Sequence, residues 1–190
     1  MKQFAVIFAL LVSCSSAFAG WAEDFEILKS VPRSYEDSGS ICEEVARIEV
    51  AREFPAPQYD VLVGIAYSDG SRVVGELDLV IVDNNLQKVI QVGEVKCWKD
   101  VRGGLTKAQE QRSRYLKFKN ANKVVNYVST STKETYSPEF FAHVKEFFSM
   151  AQKGSTNQGF DRELTYTLKE MHDRRYEMIR CQNLGQCARP

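Results

Sequence analysis

Gly75-Glu76-Leu77-Asp78-Leu79-Val80-Ile81-Val82, a turn at Asp83-Asn84-Asn85, and then Gln87-Lys88-Val89-Ile90-Gln91-Val92-Gly93-Glu94-Val95-Lys96-Cys97-Trp98 form the stretch that decides how this chain folds. Two apolar, β-branched runs on either side of a turn-forming triplet read as paired strands. Asp78 interrupts the first run. In the second, Glu94 and Lys96 stand two residues apart and so share one face of the strand, while Val95 points the other way, into the core. A carboxylate within an apolar strand is costly unless it is paired or bound. Two carboxylates and a lysine converging at a sheet edge therefore fit a hard metal ion with a water to be activated beside it. The competing explanation is a structural Asp78–Lys96 ion pair.

Working outward from this stretch, Tyr59 to Ser68 reads as a preceding strand, and Asp69-Gly70 is a hairpin signal leading to a strand over Arg72–Val82. Ser40 is placed to cap a helix that runs to about Phe54, where Pro55 and Pro57 stop it. Residues 20–39 read as polar and irregular. After the third strand, Gln87–Cys97, the pair Gly103-Gly104 opens a helix to about Asn120, and Asn122–Thr130 reads as a fourth strand. Pro138 is expected in the first turn of a helix to about Gln152, which would use Phe140, Phe141, Phe147 and Phe148 as core contacts. A loop over Gly154–Gly159 and a charged helix over Phe160–Arg180 complete the chain. The order predicts one α/β domain with a mixed sheet over residues 20–190. Its core spans about 40–130, and a C-terminal helical extension spans about 137–190.

The 190 residues carry 25 basic and 25 acidic side chains, so net charge implies no partner. The distribution does. Nine basic residues and only two acids lie between Lys96 and Lys123, a local surface that suits a phosphate-bearing substrate. Met1-Lys2-Gln3, the apolar run Phe4–Val12 and Ala17-Phe18-Ala19 fit a signal peptide over residues 1–19, which would export the protein to the periplasm or beyond. Leu11-Val12-Ser13-Cys14 offers an alternative, a lipoprotein anchored through Cys14. The apolar run is too short to span a bilayer, and no integral membrane span is expected in the mature chain. Cleavage after Ala19 would leave Cys42, Cys97, Cys181 and Cys187, an even number that fits two disulfides. The short Cys181–Cys187 separation favours a terminal loop with Cys42–Cys97 as the second bridge, and sequence leaves the other two pairings open.

The element order and these residues resemble the PD-(D/E)XK nuclease superfamily, the restriction-endonuclease-like fold, over about Ser40–Thr130. The acidic residue of the second core strand falls on Asp78, and the E-x-K pair on Glu94-Val95-Lys96. A Gln-x-x-x-Tyr motif falls on Gln111-Arg112-Ser113-Arg114-Tyr115. The proline of the family name is absent, since Leu77 precedes Asp78. The resemblance implies an αβββαβ core and a Mg²⁺- or Mn²⁺-dependent hydrolase of phosphodiester bonds, acting on DNA in preference to RNA. Asp78, Glu94 and the Val95 carbonyl would hold the metal, and Lys96 would hold the attacking water or stabilise developing charge. The family's helix glutamate falls on Glu43 or Glu44. Glu44 is preferred because it lies beside the apolar face of Ile41, Val45 and Ile48. Glu76 shares a strand face with Asp78 and is either an accessory ligand or a surface residue. Gln111 would position water or phosphate, while Lys99, Arg102, Lys107, Arg112 and Arg114 would contact the nucleic-acid backbone. Trp98 would either stack on a base or pack. A homodimer is compatible with this class, as is a catalytically inert, nucleic-acid-binding or adaptor member of the same fold.

Overall fold

The paired strands form as the alternation requires. In the computed structural model, which describes residues 20–190, β1 (Tyr59–Ser68), β2 (Val73–Asp83) and β3 (Lys88–Val95) make an antiparallel meander. β2 is buried on both faces, which explains its unbroken apolar run. Leu79 and Ile81 face one core, shared with Ile41, Val45 and Ile48 of α2 (Ser38–Glu53) and with Met171 and Met178 of α4 (Leu168–Asn183). Val80 and Val82 face a second core, closed by Tyr115 of α3 (Val101–Asn120) together with Tyr127 and Phe141.

The chain is α/β, with a seven-stranded mixed sheet and four helices among the described residues. The sheet order is β5-β4-β1-β2-β3-β6-β7. β4 (Asn126–Ser129) joins β1 antiparallel and carries β5 (Thr135–Tyr136) outside it. On the other side, β6 (Glu146–Ala151) lies parallel to β3, and β7 (Arg162–Glu163) parallel to β6. The expected leader, including the Cys14 alternative, lies outside the described residues. Among those described, no helix is long and apolar enough to cross a membrane.

Four expectations are corrected. Pro138 starts only a short 3₁₀ turn, Pro138–Phe141, and the residues assigned to the rest of that helix form β6. A short apolar run has no period that separates helix from strand. Here the exposed edge of β3 decides, because it needs a partner for its backbone groups. Phe147 and Phe148 consequently fall on opposite faces, one in each core. Phe141 instead stacks on Tyr127, ring centroids 3.6 Å apart. The last helix starts at Leu168, not Phe160. Thr167 caps it in a reciprocal capping box with Glu170, while residues 162–163 extend the sheet. The segment read as irregular contains α1 (Trp21–Leu28), and the cap of α2 is Asp37, whose side chain accepts from the Gly39 amide at 2.8 Å.

Both favoured disulfides are present, Cys42–Cys97 and Cys181–Cys187, and they fit an exported protein. Cys42–Cys97 ties the first turns of α2 to the residue after Lys96 across a separation of 55 residues. A crosslink over that separation removes roughly 4 kcal/mol of denatured-state chain entropy. Replacing both cysteines by serine should therefore lower the unfolding free energy by an amount of that order, read as a lower urea midpoint. A midpoint unchanged from the oxidised wild type would contradict this assignment.

Candidate metal and phosphate site

The β2–β3 ladder ends at the pair Leu79–Gly93. Beyond it β2 stays with β1, through Leu77–Ile65 and Glu76–Ala66, while β3 stays with β6 up to Val95–Met150. The sheet forks, and Asp78 and Glu94 stand on its two prongs. The Asp78 carboxylate replaces the missing ladder partner: its Oδ2 accepts from the Val95 amide at 2.8 Å. β3 cannot drift outward either, because the Lys96 amide donates to the Met150 carbonyl at 3.0 Å.

Into this fork projects the Lys96 ammonium. Its Nζ donates to Asp78 Oδ2 at 2.6 Å, to the Val95 carbonyl at 3.1 Å and to Glu94 Oε2 at 3.3 Å. Asp78 and Glu94 are each only 6 % exposed. Three hard oxygens from two strands thus converge on one cationic point, and they are the three that the sequence singled out as metal ligands. Among the described residues no three His, Cys, Asp or Glu side chains cluster as metal ligands, so an ion in the fork would draw on two carboxylates and a carbonyl. That set fits Mg²⁺ or Mn²⁺, which commonly take one or two carboxylates and complete their shell from water and substrate.

Electrostatics at the fork follow from burial. Desolvation and then the neighbouring Asp78 charge push the Glu94 carboxyl up to about 9, against the pull of Lys96. Burial pulls Lys96 down, but the two carboxylates more than offset it and hold its ammonium above the ordinary lysine value. Burial and the Asp78 charge thus bias Glu94 toward its protonated form, and the Lys96 ammonium sits closest to Asp78.

An open cavity of about 320 Å³ lies outside the fork. Its lining includes Glu43 from α2, Val95 to Trp98, and Lys107, Gln111 and Arg114 from one flank of α3. The structure thus brings Lys96 and Gln111 together with two of the expected phosphate contacts. Lys99 is exposed but does not line the cavity, and Arg102 donates to Gln158 at 3.1 Å. Arg112 is on the opposite flank of α3, over the Phe147 ring at 5.1 Å, in a smaller cavity that Glu94 also lines.

The helix carboxylate at the site is Glu43, which corrects the choice of Glu44. Glu44 accepts from Arg33 at 3.0 Å and Arg47 at 2.8 Å, and opens toward Val63 and Thr130 on the far side of α2. Glu44 lies next to the apolar stripe of α2. The site, however, lies where two central strands part, toward which the polar flank of α2 points, and the Cys42–Cys97 bridge holds that flank against it. Burial, then the Asp78 charge, raise Glu43 to about 7 despite its ion pair with Arg33. Glu76 is raised by burial and by Asp78, and accepts from Thr130 at 3.3 Å. Arg33, which bridges Glu43 and Glu44, was not signalled by any pattern in the sequence.

No family model matches the chain, and no curated protein or solved structure does either.

In metal-free protein the two carboxylates should behave differently. Asp78→Asn strips the ammonium of its counter-charge and should cost about 3–5 kcal/mol. Glu94→Gln replaces a carboxyl that burial and Asp78 push toward its neutral form, and should cost far less at pH 7. Because the Glu94 pKa is higher folded than unfolded, its proton stabilises the fold at low pH. That contribution declines as pH rises from 4.5 toward 9, and Glu94→Gln should flatten that part of the stability profile. Urea unfolding in EDTA across this range checks both, and equal losses for the two variants at pH 7 would contradict the charge assignment.

Proposed function

We propose that the protein is an exported, Mg²⁺- or Mn²⁺-dependent nuclease of the restriction-endonuclease-like class that hydrolyses phosphodiester bonds, DNA being the favoured substrate. The observation that carries this reading is the convergence of the Asp78 and Glu94 carboxylates and the Val95 carbonyl on one cation, at the edge of a cavity walled on the α3 side by cationic side chains.

Asp78, Glu94 and the Val95 carbonyl would hold the ion. When bound, it supplies Lewis acidity toward a phosphate oxygen and toward an attacking water. The chain's own groups supply the rest. Lys96, freed from those oxygens when the ion is bound, would bring its positive charge and three N–H donors to the phosphate, where negative charge develops. Glu43, with a carboxyl near 7, is placed on the cavity wall to accept a proton at neutral pH. Arg33 fixes its orientation. Gln111 offers both a donor and an acceptor to a water or a phosphate oxygen. Lys107 and Arg114 hold the backbone of the nucleic acid, giving salt-sensitive and largely sequence-independent binding.

The completeness of the Lys96 pairing favours a second reading, an inert nucleic-acid-binding module in which the ammonium takes the cation's place permanently. Activity separates the two. Linear and plasmid DNA should be cut in Mg²⁺ or Mn²⁺ and spared in EDTA, and Asp78→Ala and Lys96→Ala should each lose at least about 100-fold in rate. Glu43→Gln should lower the rate by about 10- to 100-fold. Glu44→Gln should spare the rate and reduce stability instead. DNA bound but left intact in every metal points to the inert module, and cleavage that survives Lys96→Ala contradicts the assigned site.

A further inference from the structure

Trp98 stands two residues beyond Lys96, no more than about 7 Å along the backbone, on the rim of the same cavity. Its root is held from three sides. Cys97 before it is bridged to Cys42, its carbonyl accepts from the Gln152 side chain at 2.7 Å, and Gly104 of α3 packs beneath its Cβ and Cγ. A β-carbon on Gly104 would touch those atoms at 3.5 and 3.7 Å, so the helix closely backs the start of the side chain. The indole nevertheless remains 44 % exposed. The other tryptophan, Trp21, shows the packed alternative: it meets Tyr166 edge-on at 6.1 Å, lies under Arg174 and donates to Glu177. Among the described residues Trp98 has neither an aromatic partner nor a cation over its ring. Packing accounts for its root and leaves its face unexplained.

The surroundings name the occupant. Lys96, Lys107 and Arg114 line the same cavity, so an anionic group can sit beside an exposed aromatic face. The acids nearby are engaged: Asp100 caps α3 through the Gly103 amide, Asp37 caps α2 through the Gly39 amide, and Glu43 pairs with Arg33. Phosphate-binding cations next to a rigid, open indole form the combination that binds unpaired nucleotides, since a base within a duplex has no free face to stack. We propose that Trp98 is a stacking platform for an unpaired nucleobase adjoining the phosphate at the fork, so that the substrate is single-stranded nucleic acid or a frayed end. This rests on the phosphodiester reading only for the position of that phosphate.

Binding is measured on the oxidised protein in EDTA, where no cleavage intervenes, with short oligo(dT), oligo(U) and a duplex of equal length. In a Trp21→Phe background, which leaves Trp98 as the sole tryptophan, single strands should quench the fluorescence and the duplex should not. Trp98→Ala should weaken single-strand binding by about tenfold and leave duplex binding unchanged, while Trp98→Phe keeps most of the affinity. Trp98→Leu preserves the apolar bulk against Gly104 and should behave like alanine, which guards against a folding defect. Trp98-dependent single-strand binding without cleavage in any metal sinks the nuclease reading alone. Unaltered single-strand affinity in Trp98→Ala, or equal losses for single strand and duplex, overturns the stacking platform.

Discussion

Burying the Lys96 ammonium between two strands is the constraint around which the rest of this structure is arranged. A desolvated cation needs oxygens on every side, and the fork between β2 and β3 delivers them from Asp78, Glu94 and the Val95 carbonyl. The fork costs ladder hydrogen bonds. Asp78 recovers one by accepting the Val95 amide, and β6 recovers another through the Met150 carbonyl. The β6 strand therefore does more than widen the sheet, because it fixes the prong that carries Glu94, Val95 and Lys96. Close packing enforces this: a β-carbon on Gly93 would meet the Phe148 ring of β6 at 2.4 Å.

The flanking helices complete the arrangement from opposite sides. α2 brings Glu43, and the Cys42–Cys97 bridge fixes its first turns beside the end of β3. α3 brings Gln111, Lys107 and Arg114 on one flank, with Tyr115 anchored in the core through its hydroxyl contact to Tyr127 at 3.1 Å. Spacing on α3 separates the roles. Residues 107, 111 and 114 line the cavity, whereas Arg112 turns away onto Phe147.

The meander and its polar residues were legible because they depend on the shortest-range signal, the two-residue period of a strand interrupted by turn formers. Asp78, Glu94 and Lys96 come from neighbouring strands, so reading the strands located them together. Glu43 was harder. Its selection over Glu44 depends on how α2 is rotated at its first turns, which a bridge from a distant strand decides. β6 was misread for a related reason. Phe147 to Ala151 has no period of its own, and only the unpaired edge of β3, more than fifty residues earlier in the chain, makes it a strand. Arg33 likewise acquires its role from three-dimensional neighbours alone.

If the three oxygens around the Lys96 ammonium form a divalent-cation site, as proposed, lysine and metal compete for it. Calorimetric titration of Mn²⁺ into wild type, Lys96→Met and Asp78→Asn tests it directly and independently of any catalysis. Removing the competing ammonium should tighten Mn²⁺ binding in Lys96→Met relative to wild type, and Asp78→Asn should abolish it. Absence of binding in Lys96→Met, or affinity indifferent to Asp78, would contradict the claim and leave the fork as a structural ion pair.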